Sequence, residues 1–363
     1  MYVVIFCSLL ALLLTYLESK HKLRGGMKLG FILVTLLGVI HYDYGNDYMS
    51  YYDIYKSIVN VPFNLSNLIG GYIYKEPGWA LINYAFKPIG GFFMMVAVLN
   101  VIQNVIYYRF IKNNVEKSWW PMAIFIYLFS SSFYLLNFSM MRQGLAIAIF
   151  LAMCKYIKTR RWVIALCGLL FAASIHSSAL ILIPFAFWGF FKMRNRKIWA
   201  LIYAVTFMVL WTADDILNGI FETVLIFEEF QDYSNYLKDA ESVEYGIGFL
   251  INLIPFVISI VYLLTDKKQS ENNHQLVALA TLGFMILPFS QIIPLIGRIG
   301  MYFNVFSIAA FTISYSCIKK TSIRGGLVFI FVFMRMYDYW RFFTVGVFKE
   351  AYSSFHTIFS AFV

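Results

Sequence analysis

The chain has 363 residues, of which 61% are hydrophobic and only 13% are charged, and its mean hydropathy is +0.70. Soluble domains average about a quarter charged residues, so this composition excludes a soluble globular protein and indicates an all-α polytopic membrane protein; the apolar runs are continuous, which excludes a barrel of alternating strands. The net charge of +10 does not indicate nucleic-acid binding, because the basic residues form short clusters between apolar runs.

Apolar runs predict about 12 transmembrane or partly re-entrant helices. In chain order they cover residues 2–17, 29–41, 92–110, 119–136, 142–157, 162–190, 198–211, 247–264, 276–296, 299–317 and 327–343. The run 162–190 is too long for one crossing, and we interpret it as a hairpin of two short or tilted helices with His176 at its tip. We expect one integral membrane domain over residues 1–363, with outer-face loops at 42–88 and 213–246 and an outer-face tail at 344–363.

Alternating the predicted helices across the membrane separates the charges. The basic clusters at residues 20–28, 109–117, 155–161, 192–197, 267–268 and 319–324 share one side, which collects about 20 of the 29 Lys and Arg residues, whereas about 15 of the 19 acidic residues take the other. The positive-inside rule makes the basic side cytoplasmic. The polar residues that interrupt the apolar runs then face the exterior, where neither ATP nor nucleotide sugars are present.

Carboxylates and aromatic rings crowd the predicted loop 42–88. Asp43, Asp47 and Tyr51 follow the second helix, and Glu76 and Trp79 flank a Pro-Gly turn. One interpretation is an aromatic belt at the membrane interface with solvated carboxylates. The other is a sugar-binding surface, in which rings face the C–H patches of a pyranose and carboxylates accept hydrogen bonds from its hydroxyl groups.

Two arginines stand at the expected starts of membrane helices. Arg142, followed by Gln143, opens one apolar helix, and Arg298 opens another with Tyr302 one turn later on the same face. An arginine in such a place either snorkels to the interface or binds an anion. The planar guanidinium suits phosphate, and a helix N-terminus adds to the attraction. The pair is therefore a candidate diphosphate clamp.

His176 is the histidine that the pattern places inside the membrane region, and it lies among serines. It is either a structural hydrogen-bonding residue or a general acid or base, since unperturbed imidazole titrates near about pH 6.5. A second histidine at ligand spacing does not accompany it, and the four cysteines show no metal-binding spacing, so we expect no metal site.

The acidic stretch within residues 213–246 is the second predicted outer loop. A solvated loop with an amphipathic helix is the simpler interpretation. A lid over an outer cavity is the alternative, because loops of this length are often functional.

Several of these residues recur in one order that resembles the EpsG family. The order is Gly45-Asn-Asp47-Tyr, then Glu76-Pro-Gly-Trp79, then Met141-Arg142-Gln143-Gly, then His176-Ser-Ser, with Arg298 and Tyr302 following. The resemblance spans about residues 40–310. It implies a polytopic membrane protein of exopolysaccharide or capsule synthesis, a Wzy-type polymerase related to O-antigen polymerases.

The resemblance implies a specific reaction. Oligosaccharide repeat units linked to polyprenyl (undecaprenyl) diphosphate would be joined by glycosyl transfer on the outer face of the bacterial cytoplasmic (inner) membrane, without metal or cofactor. Arg142 and Arg298 would bind the diphosphate, with Gln143, Tyr302, Asp43, Tyr51 and Trp79 as further substrate contacts. His176 and one of Asp47 and Glu76 become candidates for the base. Membrane lipids and a chain-length regulator are the expected partners, and nucleic acid is not.

Two other functions remain open at this stage. A flippase for lipid-linked oligosaccharides would line an alternating-access path with the same arginines and carboxylates, and such transporters often repeat broken helices in both halves. Only the break at His176 is evident here. A transferase that adds a single sugar or ligates a finished chain is the second alternative, and the sequence separates it poorly from a polymerase.

Overall fold

Helices make up nearly all the regular structure of the computed structural model, which describes residues 1–190, 195–212, 246–265, 270–290, 294–346 and 348–362. The α-helices are α1 Tyr2–Ser19, α2 Gly26–Ile40, α3 Tyr48–Asn60, α4 Leu65–Ile69, α5 Pro77–Phe86, α6 Gly91–Asn114, α7 Trp120–Leu128, α8 Leu136–Ser139, α9 Met141–Lys158, α10 Trp162–Ile175, α11 Arg196–Thr212, α12 Ile247–Thr265, α13 Glu271–Ile286, α14 Pro294–Asn304, α15 Ser307–Ser316, α16 Thr321–Thr344 and α17 Phe348–Ala351. Four 3-10 segments cover Lys117–Trp119, Ser177–Phe190, Leu287–Phe289 and Ile358–Phe362, and two short strands are β1 His41–Tyr42 and β2 His356–Thr357.

Several of these helices have the length and apolar composition of membrane spans. Within the described ranges α1, α6 and α12 each suffice to cross a membrane, and α14 with α15, bent by 56° at their junction, form a fourth candidate. The apolar helices α2 and α10 and the 3-10 segment Ser177–Phe190 are shorter. The expectation of an all-α membrane protein is confirmed, whereas the number of about twelve spans stays a prediction.

The chain divides into two compact units. The first consists of Met1–Trp188 and Met336–Val363, and the second of Gly189–Arg335. In the first unit α1 packs on α2 and α7, α2 packs on α6, and α9 lies between α6 and α10. In the second unit α12 and α13 pack together and against α15.

Two predicted segments differ from the structure in their details. The run 119–136 was expected as one helix, but α7 ends at Leu128, and a turn that begins in Ser130–Ser132 precedes α8. The predicted loop 42–88 contains the helices α3, α4 and α5, of which α5 and α3 pack against each other. The hairpin within 162–190 does break at His176, which is extended between α10 and the 3-10 segment. The acidic loop lies, apart from Gly246, outside the described residues.

The C-terminal tail folds back onto the segment that follows α2. Strand β2 pairs antiparallel with β1, joining Thr357 to His41 in register. The Gly45 N–H donates to the Ala351 carbonyl at 3.1 Å, and the Tyr352 hydroxyl donates to the Leu135 carbonyl at 3.2 Å. These bonds fix the backbone just before Asp47 and α3. Residues 351–357 of the tail predicted at 344–363 are therefore part of the scaffold that leads to α3.

Candidate functional site

A buried carboxylate, Glu76, joins three segments that are far apart in the sequence. Its side chain is 3% exposed. Its Oε2 accepts a hydrogen bond from Nη1 of Arg142, and the two side chains form an ion pair. Its Oε1 lies 3.2 Å from Nδ1 of His176 and accepts the Ser177 backbone N–H at 3.0 Å. Ser177 Oγ is 3.4 Å from the same oxygen. We call Glu76, Arg142, His176 and Ser177 the Glu76 cluster.

Each member of the cluster stands at the end of a helix. Glu76 immediately precedes α5, whose first residue is Pro77. Proline suits this position because the first helical N–H has no intrahelical partner to lose. Arg142 lies in the first turn of α9, and His176 directly follows α10. The side chains therefore meet where the backbone changes direction, as the interrupted apolar runs predicted.

Gly78 allows α5 to approach α10 closely. A Cβ added at Gly78 would lie 2.9 Å from the backbone carbon of Ser174 and 3.0 Å from its Cβ, which is closer than real contacts allow. Ser174 stands two residues before His176. The absence of a side chain at Gly78 thus brings the start of α5, with Glu76, against the end of α10. The order Glu-Pro-Gly-Trp in the sequence reflects this packing.

Aromatic rings enclose the Arg142 guanidinium. Its Cζ lies 5.6 Å from the Tyr51 ring centroid and 5.5 Å from that of Tyr74, within the range of cation–π attraction. Trp79, fully buried, meets Tyr51 edge to face at 5.6 Å. The Arg142 side chain is 18% exposed, whereas those of Glu76 and His176 are almost entirely buried. Arg142 is therefore the most accessible of the three.

The cluster holds Glu76 in its ionised form. Burial by itself would raise the pKa of this carboxyl, but the hydrogen bond from His176, the charge of Arg142 and the Ser177 N–H outweigh it and lower the pKa to about 2. The resulting contribution to stability is fully present above the ordinary pKa of 4.5 and is lost as the pH falls from there through about 2. A carboxylate with so low a pKa is a weak base and a good acceptor for an imidazole N–H.

Asp47 lies beside the cluster rather than in its centre. It precedes α3, one turn before Tyr51, and its backbone N–H donates to Ser139 Oγ at 3.2 Å. Burial raises the pKa of Tyr51, Arg142 opposes that rise, and the charge of Asp47 adds to it. Asp43 is exposed and has a positive φ of 44°.

The remaining predicted site residues are not members of the Glu76 cluster. Gln143 is buried in α9 next to Arg142. Arg298 and Tyr302 belong to the second unit, one turn apart on α14, where Arg298 is half-buried and Tyr302 is fully buried. Within the described ranges no group of three or more His, Cys, Asp or Glu side chains could hold a metal ion.

The structure adds Tyr74 and Ser177 to the predicted site residues. Tyr74 covers Arg142, and Ser177 binds the carboxylate of Glu76. Tyr74 stands two residues before Glu76 in the aromatic and acidic stretch that the sequence marks as a candidate sugar-binding surface, and this proximity was a usable signal. Ser177 contacts the carboxylate both through its backbone N–H, which every residue except proline carries, and through its hydroxyl, so the serines beside His176 were a partial signal.

A comparison with family models identifies one match. The model described as the EpsG family matches residues 27–355, nearly the whole chain. Neither a curated protein nor a solved structure matches. The matched range includes every member of the Glu76 cluster as well as Arg298 and Tyr302.

Proposed function

The chain belongs to the EpsG family, which is associated with polysaccharide polymerase-like proteins, and we propose that it is a membrane glycosyltransferase that polymerises polyprenyl-diphosphate-linked oligosaccharide repeat units. The observation that carries this proposal is the Glu76 cluster, a buried imidazole–carboxylate pair beside a partly exposed arginine. These groups suit the two demands of the reaction, which are deprotonation of an acceptor hydroxyl and stabilisation of a diphosphate leaving group.

His176 is the proposed base. If Glu76 accepts the hydrogen on Nδ1, the neutral ring carries an acceptor lone pair on Nε2, which takes the proton of the acceptor hydroxyl. The hydroxyl oxygen forms a bond to the anomeric carbon of the donor as the bond from that carbon to the diphosphate oxygen breaks. The ionised Glu76 stabilises the imidazolium that forms and keeps the ring oriented. Glu76 thus acts as an orienting carboxylate, and Asp47 remains the other carboxylate candidate.

Arg142 is the proposed diphosphate-binding group. A guanidinium has five N–H donors, and Arg142 uses some of them on Glu76, on the Tyr51 hydroxyl at 3.5 Å and on Tyr74. Its remaining donors suit the oxygens of a diphosphate, whose negative charge grows as it leaves. Arg298, with Tyr302 one turn on, is proposed as a second phosphate-binding residue.

The proposed location is the bacterial cytoplasmic (inner) membrane, with the site facing the periplasm or exterior. The distribution of Lys and Arg supports this orientation. Lipid-linked donors supply the activated sugar there, where nucleotide sugars are absent. A chain-length regulator is a proposed partner.

The function is tested in cells that lack this protein. We expect single lipid-linked repeat units to accumulate in the outer leaflet and long chains to disappear, and the wild-type chain to restore both. The measurement is the size distribution of the lipid-linked saccharides, together with their accessibility to an enzyme added outside the cells. Repeat units trapped in the inner leaflet would contradict polymerisation and favour a flippase.

Gly78→Ala tests whether the contact of α5 with α10 positions the cluster. The added methyl group would collide with the backbone at Ser174, so Glu76 and His176 move apart, and we expect a rate loss on the order of 10²-fold. The measurement is polymer formation by purified protein in liposomes. Gly325→Ala is the matched control, because its added Cβ meets nothing within 4 Å. Equal rates in the two variants would show that the close approach does not matter for catalysis.

A further inference from the structure

An uncharged, apolar segment precedes the site and packs against little of the protein. Residues 57–74 contain no Asp, Glu, Lys or Arg, although Lys56 and Lys75 flank them. Within them lies the segment 61–72, which we call the interfacial segment. It contains α4, and most of its residues are exposed, including Leu65 at 60%, Ile69 at 71% and Tyr72 at 84%.

Two polar side chains of this segment, those of Asn64 and Ser66, bond within the segment. Asn64 Oδ1 accepts the backbone N–H groups of Ser66 and Asn67 at 2.9 and 3.3 Å and the Ser66 hydroxyl at 2.7 Å. These bonds cap α4 and satisfy donors that would otherwise need water. The segment also exposes five large apolar or aromatic side chains, those of Val61, Phe63, Leu65, Ile69 and Tyr72. A surface of this kind in water is costly, and contiguous exposed apolar patches typically mark an interaction surface.

The apolar surface continues towards a membrane helix. The Phe63 ring meets the Tyr84 ring at 5.2 Å, and the Tyr84 hydroxyl donates to the Val61 carbonyl at 3.0 Å. Tyr84 lies on α5, which packs on the membrane-span candidate α6. Ile89, before α6, and Met94, in its first turns, are also exposed. The interfacial segment therefore adjoins α5, which packs on the membrane-span candidate α6.

We propose that the interfacial segment inserts into the lipid leaflet on the side of the Glu76 cluster, with its exposed apolar side chains in contact with lipid hydrocarbon. Elements of this kind lie with their apolar side chains about 5–10 Å into the boundary between headgroups and acyl chains. Tyr74 and Glu76 follow the segment directly, so the cluster lies near the headgroup level. This is the depth at which the diphosphate of a lipid-linked substrate resides. The lipid contact itself does not depend on the proposed function.

Spin labels at two exposed positions test the insertion. The native Cys7, Cys154, Cys167 and Cys317 are replaced by alanine, and a single cysteine is introduced as Ile69→Cys or Tyr72→Cys. The full chain is reconstituted into liposomes of phosphatidylethanolamine and phosphatidylglycerol. We expect collisions with oxygen, which partitions into lipid, to exceed collisions with a water-soluble nickel complex several-fold. These labels are measured by electron paramagnetic resonance.

Two reference positions give the collision rates expected for a label in lipid and for a label in water. Met94→Cys reports a lipid-facing site on α6, and Asp53→Cys reports a water-facing one, because the Asp53 side chain is 73% exposed beside Lys56. Labels at 69 and 72 that resemble Met94→Cys support the proposal. Labels that resemble Asp53→Cys overturn it in favour of a water-facing loop. Labels shielded from both reagents also overturn it, because they would show that another protein surface covers the segment.

Discussion

Glu76→Gln is expected to reduce the rate of polymer formation on the order of 10³–10⁴-fold. Both carboxylate oxygens of Glu76 accept hydrogen bonds, one from Arg142 and the other from His176 and Ser177. A glutamine of the same shape places an NH₂ group against one of these donors. It also leaves the imidazolium formed by His176 without its neighbouring negative charge. The measurement is the initial rate of chain growth in liposomes.

The loss must be separated from unfolding, because removal of one partner of a buried ion pair costs about 3–5 kcal/mol. The double variant with Glu76→Gln and Arg142→Gln removes both charges, so we expect it to regain thermal stability but no activity. Asp53→Asn is the matched control and should keep the full rate, since Asp53 is exposed. A Glu76→Gln protein that is stable and fully active would contradict the orienting role.

Arg142→Lys is expected to lower the rate of polymer formation by about 10–10²-fold while keeping the fold. Lysine preserves the positive charge opposite Glu76 but offers a compact ammonium group in place of a planar fork. It also changes the cation–π contacts that the guanidinium makes with the Tyr51 and Tyr74 rings. If Arg142 holds the leaving diphosphate, the loss appears in the maximal rate more than in the apparent affinity for the repeat unit. The two are measured together by varying the concentration of lipid-linked substrate.

Arg341→Lys serves as the reference for this substitution. Arg341 is exposed in the last turn of α16, so the same change there should leave the rate unaltered. Arg142→Ala should be both inactive and less stable, because Glu76 then remains buried without its partner. Full activity of Arg142→Lys together with loss in Arg142→Ala would show that Arg142 supplies only a charge to the fold.

The sequence predicted the members of the site better than their arrangement. Arg142, His176 and Glu76 are predicted site residues because they are polar groups next to apolar runs, and all three are in contact in the structure. Their mutual contacts span 66 and 100 positions along the chain. Such pairings depend on how α5, α9 and α10 pack, which local patterns do not encode. The sequence presents Arg142 as an isolated cation, whereas in the structure it forms an ion pair with Glu76.

Local patterns also missed features of the backbone. The run 119–136 is apolar almost throughout, so hydropathy predicts one helix, yet α7 ends at Leu128 before three consecutive serines. In the predicted loop 42–88, tyrosines at 48, 51 and 55 form the buried face of α3. Their spacing is typical of a helix, but α3 is shorter than a membrane-spanning run, so a criterion based on long apolar runs does not predict it.

The pairing of β2 with β1 has a consequence for how the protein is made. The N-terminal amino group also binds the Ser353 carbonyl at 3.1 Å, so both ends of the chain meet beside the backbone that leads to Asp47. Residues 356–357, the partner strand for residues 41–42, are translated long after residues 41–42. Residues 41–42 therefore stay without this partner while the intervening chain is being synthesised. A polypeptide that stops short of residue 356 enters the membrane without the strand that completes it.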